Sequence, residues 1–206
     1  MAQENRKKKR FLLICCEGKT EREYFAILRR LYRLPGARVV ILGEKGQHKV
    51  LIDRTVKERK VFCEQNDIAP GDLECWAVCD DDDMPLSYAE FLGYSEDNDI
   101  RLAFSRPQFE AFLLQHFEQS GEHDQKRLYA KLGEYASACC GTAIEYEKAD
   151  LKWMADAIDN KPKLVKIAVT NADQRRKTVR KGLPYRARLG QADAGAGKVA
   201  PVCKTS

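Results

Sequence analysis

The residues with the most chemistry in this chain stand in one run, WAVCDDDDMP, where four aspartates, Asp80 to Asp83, follow a hydrophobic segment with no Lys or Arg beside them. Four anions so close repel one another, which raises pKa values and costs stability unless a cation is shared among them. Carboxylate oxygens are hard donors, so Mg²⁺ (or Mn²⁺) is the occupant they suit, and such an ion does not need a protein-only cage. The pleat of a strand and the turn after it should send Asp80 and Asp82 to one side more readily than Asp80 and Asp81. An acidic run also decorates exposed loops and helix starts, but its place directly behind an apolar strand favours the metal. For Asp81 and Asp83, a solvated loop charge is as good a reading as a role behind the first ligands.

Glu17 offers a second carboxylate, directly after the run FLLICC. Lys19 and Thr20 follow at a helix start, where backbone amides and the positive dipole end favour phosphate. EGKTE nevertheless lacks the glycine spacing of GxxxxGK[ST], so it is not a nucleotide P-loop. Glu110 opens another helix and either adds a metal ligand or simply pairs with the helix N-terminus. His116, six residues later, lies about 240° around that helix from Glu110, so it belongs to packing or capping rather than to the same ligand set. Phe109, Phe112, Leu113 and Phe117 form an apolar stripe that reads as core, not as a base-stacking platform.

These side chains need elements to hold them. FLLICC fits a strand buried on both faces, stopped by Glu17-Gly18. TEREYFAILRRLYRL has helical apolar spacing, with Thr20 as the expected cap and Glu23 completing a capping box. ARVVILGE is a second strand, HKVLIDRTVKERKVFCEQN a helix, and LECWAVCD a third strand with Leu73, Cys75, Ala77 and Cys79 on one face. Pro85 is expected to open a helix to about Asn98. IRLAFSRP is a fourth strand ended by Pro107, and QFEAFLLQHFEQ a helix. Alternating strands and helices imply crossover units, a mostly parallel sheet and a three-layer α/β domain. Beyond His123 only helical patterns follow, until QADAGAGKVAPVCKTS, which lacks periodicity and reads as a tail. The expected organisation is a basic leader 1–10, an α/β domain 11–120, a helical extension 121–182 and a disordered tail 183–206. Ligands collect outside the carboxyl ends of parallel strands. Glu17 and the aspartates therefore meet if the first and third strands are neighbours.

Composition bounds the partners. The 206 residues are 44% hydrophobic and 33% charged, with a net charge of +5. From Asn160 onward stand twelve Lys and Arg against two Asp, a local +10 that leaves −5 for residues 1–159. A mildly acidic body with a basic arm suits nucleic acid, whose phosphates clustered cations neutralise. Arg175, Arg176, Lys177, Arg180 and Lys181 are the expected contacts, the plain alternative being a solvated basic helix. The eight cysteines include no CxxC and no zinc-like spacing, as expected of reduced thiols. No apolar stretch approaches the roughly 20 residues of a membrane span, and MAQENRKKKR leads into too short an apolar run for a secretory signal. A cytoplasmic protein is expected.

A glutamate at one strand end and D-x-D at another, within a short parallel sheet, resembles the Toprim domain of topoisomerases, primases and overcoming-lysogenization-defect nucleases. The stretches LLICCEGKTEREYF, WAVCDDDD and LAFSRPQFEAFLLQHFE resemble more closely still the RloB-like proteins. That resemblance covers roughly the first 120 residues. It implies a Toprim-like, mostly parallel four-stranded sheet flanked by helices, with a helical C-terminal extension, and a divalent-metal site. It also implies a place in bacterial defence or restriction-associated loci beside an ATPase partner. By position, Glu17 resembles the Toprim glutamate, and Asp80 and Asp82 the metal-holding pair. The consistent activity is phosphodiester hydrolysis of DNA or RNA, tRNA among the candidates. The competing reading is a non-catalytic interaction subunit that docks the ATPase. A D-x-D glycosyltransferase would need a longer nucleotide-binding half before the motif. A receiver domain would place its acids after the first strand, where only Glu17 stands.

Overall fold

The computed structural model describes residues 11–36, 39–81 and 87–182, with side chains through Lys177. Four apolar runs form strands β1 (Phe11–Cys16), β2 (Val39–Leu42), β3 (Leu73–Asp80) and β4 (Arg101–Ser105). All pairings are parallel and the order is β2-β1-β3-β4, which makes β1 and β3 the central neighbours. Both faces of these strands are covered, which is why FLLICC is apolar throughout instead of alternating. Helices α1 (Lys19–Leu31), α2 (His48–Asn66), α3 (Tyr88–Asp97) and α4 (Phe109–Leu114) connect and flank the sheet, and α5 (Gln125–Cys140), α6 (Lys152–Asn160) and α7 (Lys163–Gly182) follow it.

The pleat sorts the core into two layers. Leu13, Cys15, Cys75, Ala77 and Cys79 face α2 and α3, packing with Leu51, Ile52, Phe91 and Leu92. Ile14, Cys16, Trp76 and Val78 point the other way, toward Tyr24 and Leu28 of α1, Phe109 and Leu113 of α4, and Leu132, Ile158 and Val165 of α5–α7. By the same alternation Asp80 falls on the Trp76 and Val78 side. The described cysteines are free, with five buried and Cys139 and Cys140 exposed. Among the described residues no helix is long and apolar enough to cross a membrane.

Three local expectations are corrected. The cap of α1 is Gly18, with no side-chain cap bond, and Thr20 already lies inside the helix. The Thr20 hydroxyl instead accepts from the Ala149 amide at 3.1 Å, and Glu23 pairs with Arg22, so no capping box forms there. The box occurs at α3, where the Ser87 hydroxyl accepts from the Glu90 amide and the Glu90 carboxylate accepts from the Ser87 amide. That helix begins at Tyr88, and Pro85 lies outside the described residues. The third correction is α4, which stops at Leu114 because the chain tightens into i→i+3 bonds, His116 N–H donating to the Leu113 carbonyl at 3.2 Å and Phe117 N–H to Leu114 at 3.0 Å.

Candidate functional site

The site forms where β1 and β3 end side by side. The Glu17 amide donates to the Val78 carbonyl at 2.9 Å, extending the ladder one residue past β1 and fixing Glu17 beside β3. Its Oε2 lies 3.5 Å from the Asp80 amide, a long contact that joins the two strand ends. Gly18 then turns the chain into α1, and the first turn of that helix brings Glu21 to the same place. Glu21 occupies an apolar-stripe position with Tyr24, Phe25 and Leu28, so the packing of α1 carries a carboxylate inward. A Cβ on Gly18 would stand 2.8 Å from Glu21 Oε2, so the residue beside Glu17 has to be small for Glu21 to sit there. The fourth acid, Glu110, enters from the first turn of α4 and accepts from the Tyr146 hydroxyl at 2.9 Å.

These acids are buried, with Asp80 9%, Glu21 4% and Glu110 2% exposed. Asp80 Oδ1 and Glu21 Oε2 are each buried without a hydrogen-bond partner. Burial first, then the neighbouring charges of Glu21 and Glu110, pushes the Asp80 carboxyl up to about 9, against a pull downward from the Phe109 amide at the start of α4. Burial again, then Glu110 and Glu17, pushes Glu21 up to about 7. Proteins seldom bury carboxylates this way without a partner, and such perturbed groups cluster at functional sites. The donor set is all oxygen, which suits a hard divalent cation. Among the described residues no three His, Cys, Asp or Glu side chains close a metal site. An ion of the Mg²⁺ type keeps several waters and needs only one or two carboxylates from the protein.

The remaining candidate residues fall as follows. Asp82 and Asp83 lie outside the described residues. Asp81 pairs with Arg106 at 2.6 Å. Lys19 is exposed and pairs with Glu44 at 3.5 Å, while Thr20 is buried and its hydroxyl accepts from the Ala149 amide, a tie between elements. Arg175 Nη2 donates to the Arg106 carbonyl at 3.3 Å, which clips α7 to the turn after β4. Arg176 pairs with Asp173 at 2.8 Å, Lys177 is exposed, and the side chains of Arg180 and Lys181 lie outside the described residues. His116 is fully buried, its Nε2 3.0 Å from the Tyr24 hydroxyl and its Nδ1 3.0 Å from the Leu113 carbonyl. Burial holds that imidazole down at about 4, so it is a neutral packed residue apart from the acids.

Glu21 and Tyr146 are the site residues that sequence reasoning missed. For Glu21 a signal existed: it lies four residues after Glu17 and interrupts an otherwise apolar helical stripe. Tyr146 carried none, since its approach to Glu110 depends on how the segment after α5 folds back.

Residues 12–185 match the family model described as RloB-like protein. Neither curated proteins nor solved structures give a match.

Proposed function

Because the chain belongs to the RloB-like family, we propose that it is a divalent-metal-dependent nuclease of a bacterial defence or restriction-associated system, working with an ATPase. The observation that carries this reading is the pair of buried, unpartnered oxygens, Asp80 Oδ1 and Glu21 Oε2, set beside Glu17 and Glu110 at the carboxyl end of a parallel sheet. Asp80 and Glu21, whose oxygens lack partners, are the described residues that would hold the metal through two carboxylates and waters, with Asp82 proposed as a further ligand and Glu110 braced by Tyr146. When bound, the metal supplies polarisation of the scissile phosphate and stabilisation of charge developing on its oxygens. The chain's own residues orient and exchange protons. Glu21, pushed to about 7 in the metal-free protein, would give up its proton as the metal binds, so metal binding strengthens as pH rises through that range. Glu17 sits at the strand end nearest solvent, either as a ligand or as the group that orients the attacking water.

The test is cleavage of plasmid DNA, total tRNA and short single strands by the purified protein in Mg²⁺, Mn²⁺ and EDTA, with Asp80→Asn, Asp82→Asn, Glu17→Gln and Glu21→Gln in parallel. Metal-dependent cutting, reduced by roughly a hundredfold or more in Asp80→Asn and Glu17→Gln, is expected. Equal cutting in EDTA, or full activity of Asp80→Asn, would overturn the reading. A wild type that neither binds metal nor cuts would make the chain an interaction subunit of the ATPase.

A further inference from the structure

The segment between α5 and α6 is tied to the carboxylate site at two points. It leaves α5 through Gly141 in the left-handed region (φ 73°) and folds back along that helix. There the Ile144 amide donates to the Ser137 hydroxyl at 2.8 Å. Gly133 permits the approach, since a Cβ there would lie 3.1 Å from the Ile144 carbonyl oxygen. Tyr146 then packs edge-on against Tyr129, with centroids 5.1 Å apart, and donates to Glu110 Oε1 at 2.9 Å. Three residues on, Ala149 adopts φ 66° and its amide donates to Thr20 Oγ1 at 3.1 Å. One anchor is on α4 and the other on α1, the two helices that carry Glu110 and Glu21.

Lys148 lies between these anchors. Its side chain is exposed. Its ammonium lies near the Tyr129 hydroxyl and in the field of Glu110 and Asp80. The Tyr129 hydroxyl is itself held by Gln125 at 3.0 Å. A lysine serving only to neutralise the acids would form an ion pair with one of them, whereas this one, held by its neighbours' anchors on α4 and α1, presents its charge at the rim. A pocket of four carboxylates repels a polyanion, and a cation on its edge supplies the attraction that brings a phosphate against it.

We propose that Lys148 contacts the substrate phosphate, so that the helical extension supplies one wall of the site whose carboxylates come from the sheet. This rests on the nuclease reading and adds a residue to it. The α5–α6 segment is then a functional part of the centre, positioned by Tyr146 and Ala149.

The test measures binding of a phosphorothioate-substituted single-stranded oligonucleotide in Ca²⁺, as a function of salt, for wild type, Lys148→Met and Lys148→Arg. Melting temperatures are recorded alongside. Lys148→Met is expected to bind about tenfold more weakly, with the slope of log K against log salt reduced by about 0.7, one phosphate contact on a single strand. Lys148→Arg should keep the slope, and neither change should move the melting temperature, since the side chain is exposed. A wild type that binds while Lys148→Met keeps the same affinity and slope would overturn the role of Lys148 and leave the nuclease reading standing. Equal loss in both variants would show that charge is not what acts there, and would also overturn it. A wild type that does not bind at all would remove the nuclease reading, and this inference with it.

Discussion

Asp80 and Glu21 retain protons that ordinary carboxyl groups lose near pH 4. Burial and mutual repulsion raise Asp80 from 3.8 to about 9 and Glu21 from 4.5 to about 7. The folded state therefore binds more protons than the unfolded chain across that window. The stability these groups contribute is fully present below about pH 4 and is lost as pH rises through 7 and then 9. Two outcomes follow for the metal-free protein. Melting temperature in EDTA should fall between pH 5 and 9, and Asp80→Asn should flatten the fall. At pH 8 that variant should gain about 1–2 kcal/mol, as relief of a strained functional site commonly does, which at this chain length is roughly 2–8 °C. Thermal melts of the two proteins across that range in EDTA check it. Only part of this was legible beforehand. The four aspartates announce a charge problem in one line of sequence, and Glu17 is visible because it ends an apolar run. Glu21 hides inside a pattern that otherwise reads as ordinary amphipathic helix, and its burial is decided by the strand end against which α1 docks.

At the scale of elements, the turn from β1 into α1 determines whether the acids meet. Strand and helix assignments came through, with β1 and β3 coinciding with apolar runs to within a residue and α2 spanning the segment read as a helix. Their ends were less legible, since a cap depends on one hydrogen bond. Thr20 has the right chemistry for capping, but its hydroxyl is taken by Ala149, a residue 129 positions away. The pattern of nearby residues carries no trace of that partner. Gly18 supplies the prediction at this scale. Its φ of −117° is open to any residue, so Gly18→Ala should fold with stability close to wild type. The added methyl would stand 2.8 Å from Glu21 Oε2, and the flexible end of Glu21 must swing away. Metal affinity should therefore drop about tenfold or more while the melting temperature in EDTA stays the same or rises. Calorimetric titration with Mn²⁺, paired with melts, separates this from a general loss of structure, which would lower both.

For the whole molecule, the question is whether the helices after residue 120 are an appendage or part of the core. Leu128, Leu132, Met154, Ile158 and Val165 are fully buried, in the same cluster as Ile14, Trp76, Val78, Phe109 and Leu113. Five such side chains contribute at most about 8–15 kcal/mol, as much as the entire net stability of a typical domain, about 5–15 kcal/mol. Polar ties add to this, among them Tyr146 to Glu110 and Asn171 to the Gln115 carbonyl at 2.9 Å. Residues 11–120 alone would leave the side of α4 that meets α5 and α7, and the apolar cluster it closes over Trp76, partly facing water. That fragment should be insoluble, or soluble without a cooperative melt and with strong binding of a hydrophobic dye, whereas residues 11–182 should melt in one transition. If 11–120 instead melted cooperatively and kept its near-ultraviolet circular dichroism, the sheet would be an independent folding unit. The physical reason to expect otherwise is that α4, which delivers Glu110, is only six residues long. A helix that short is not stable by itself, and what holds it against the sheet is the layer formed by α5–α7.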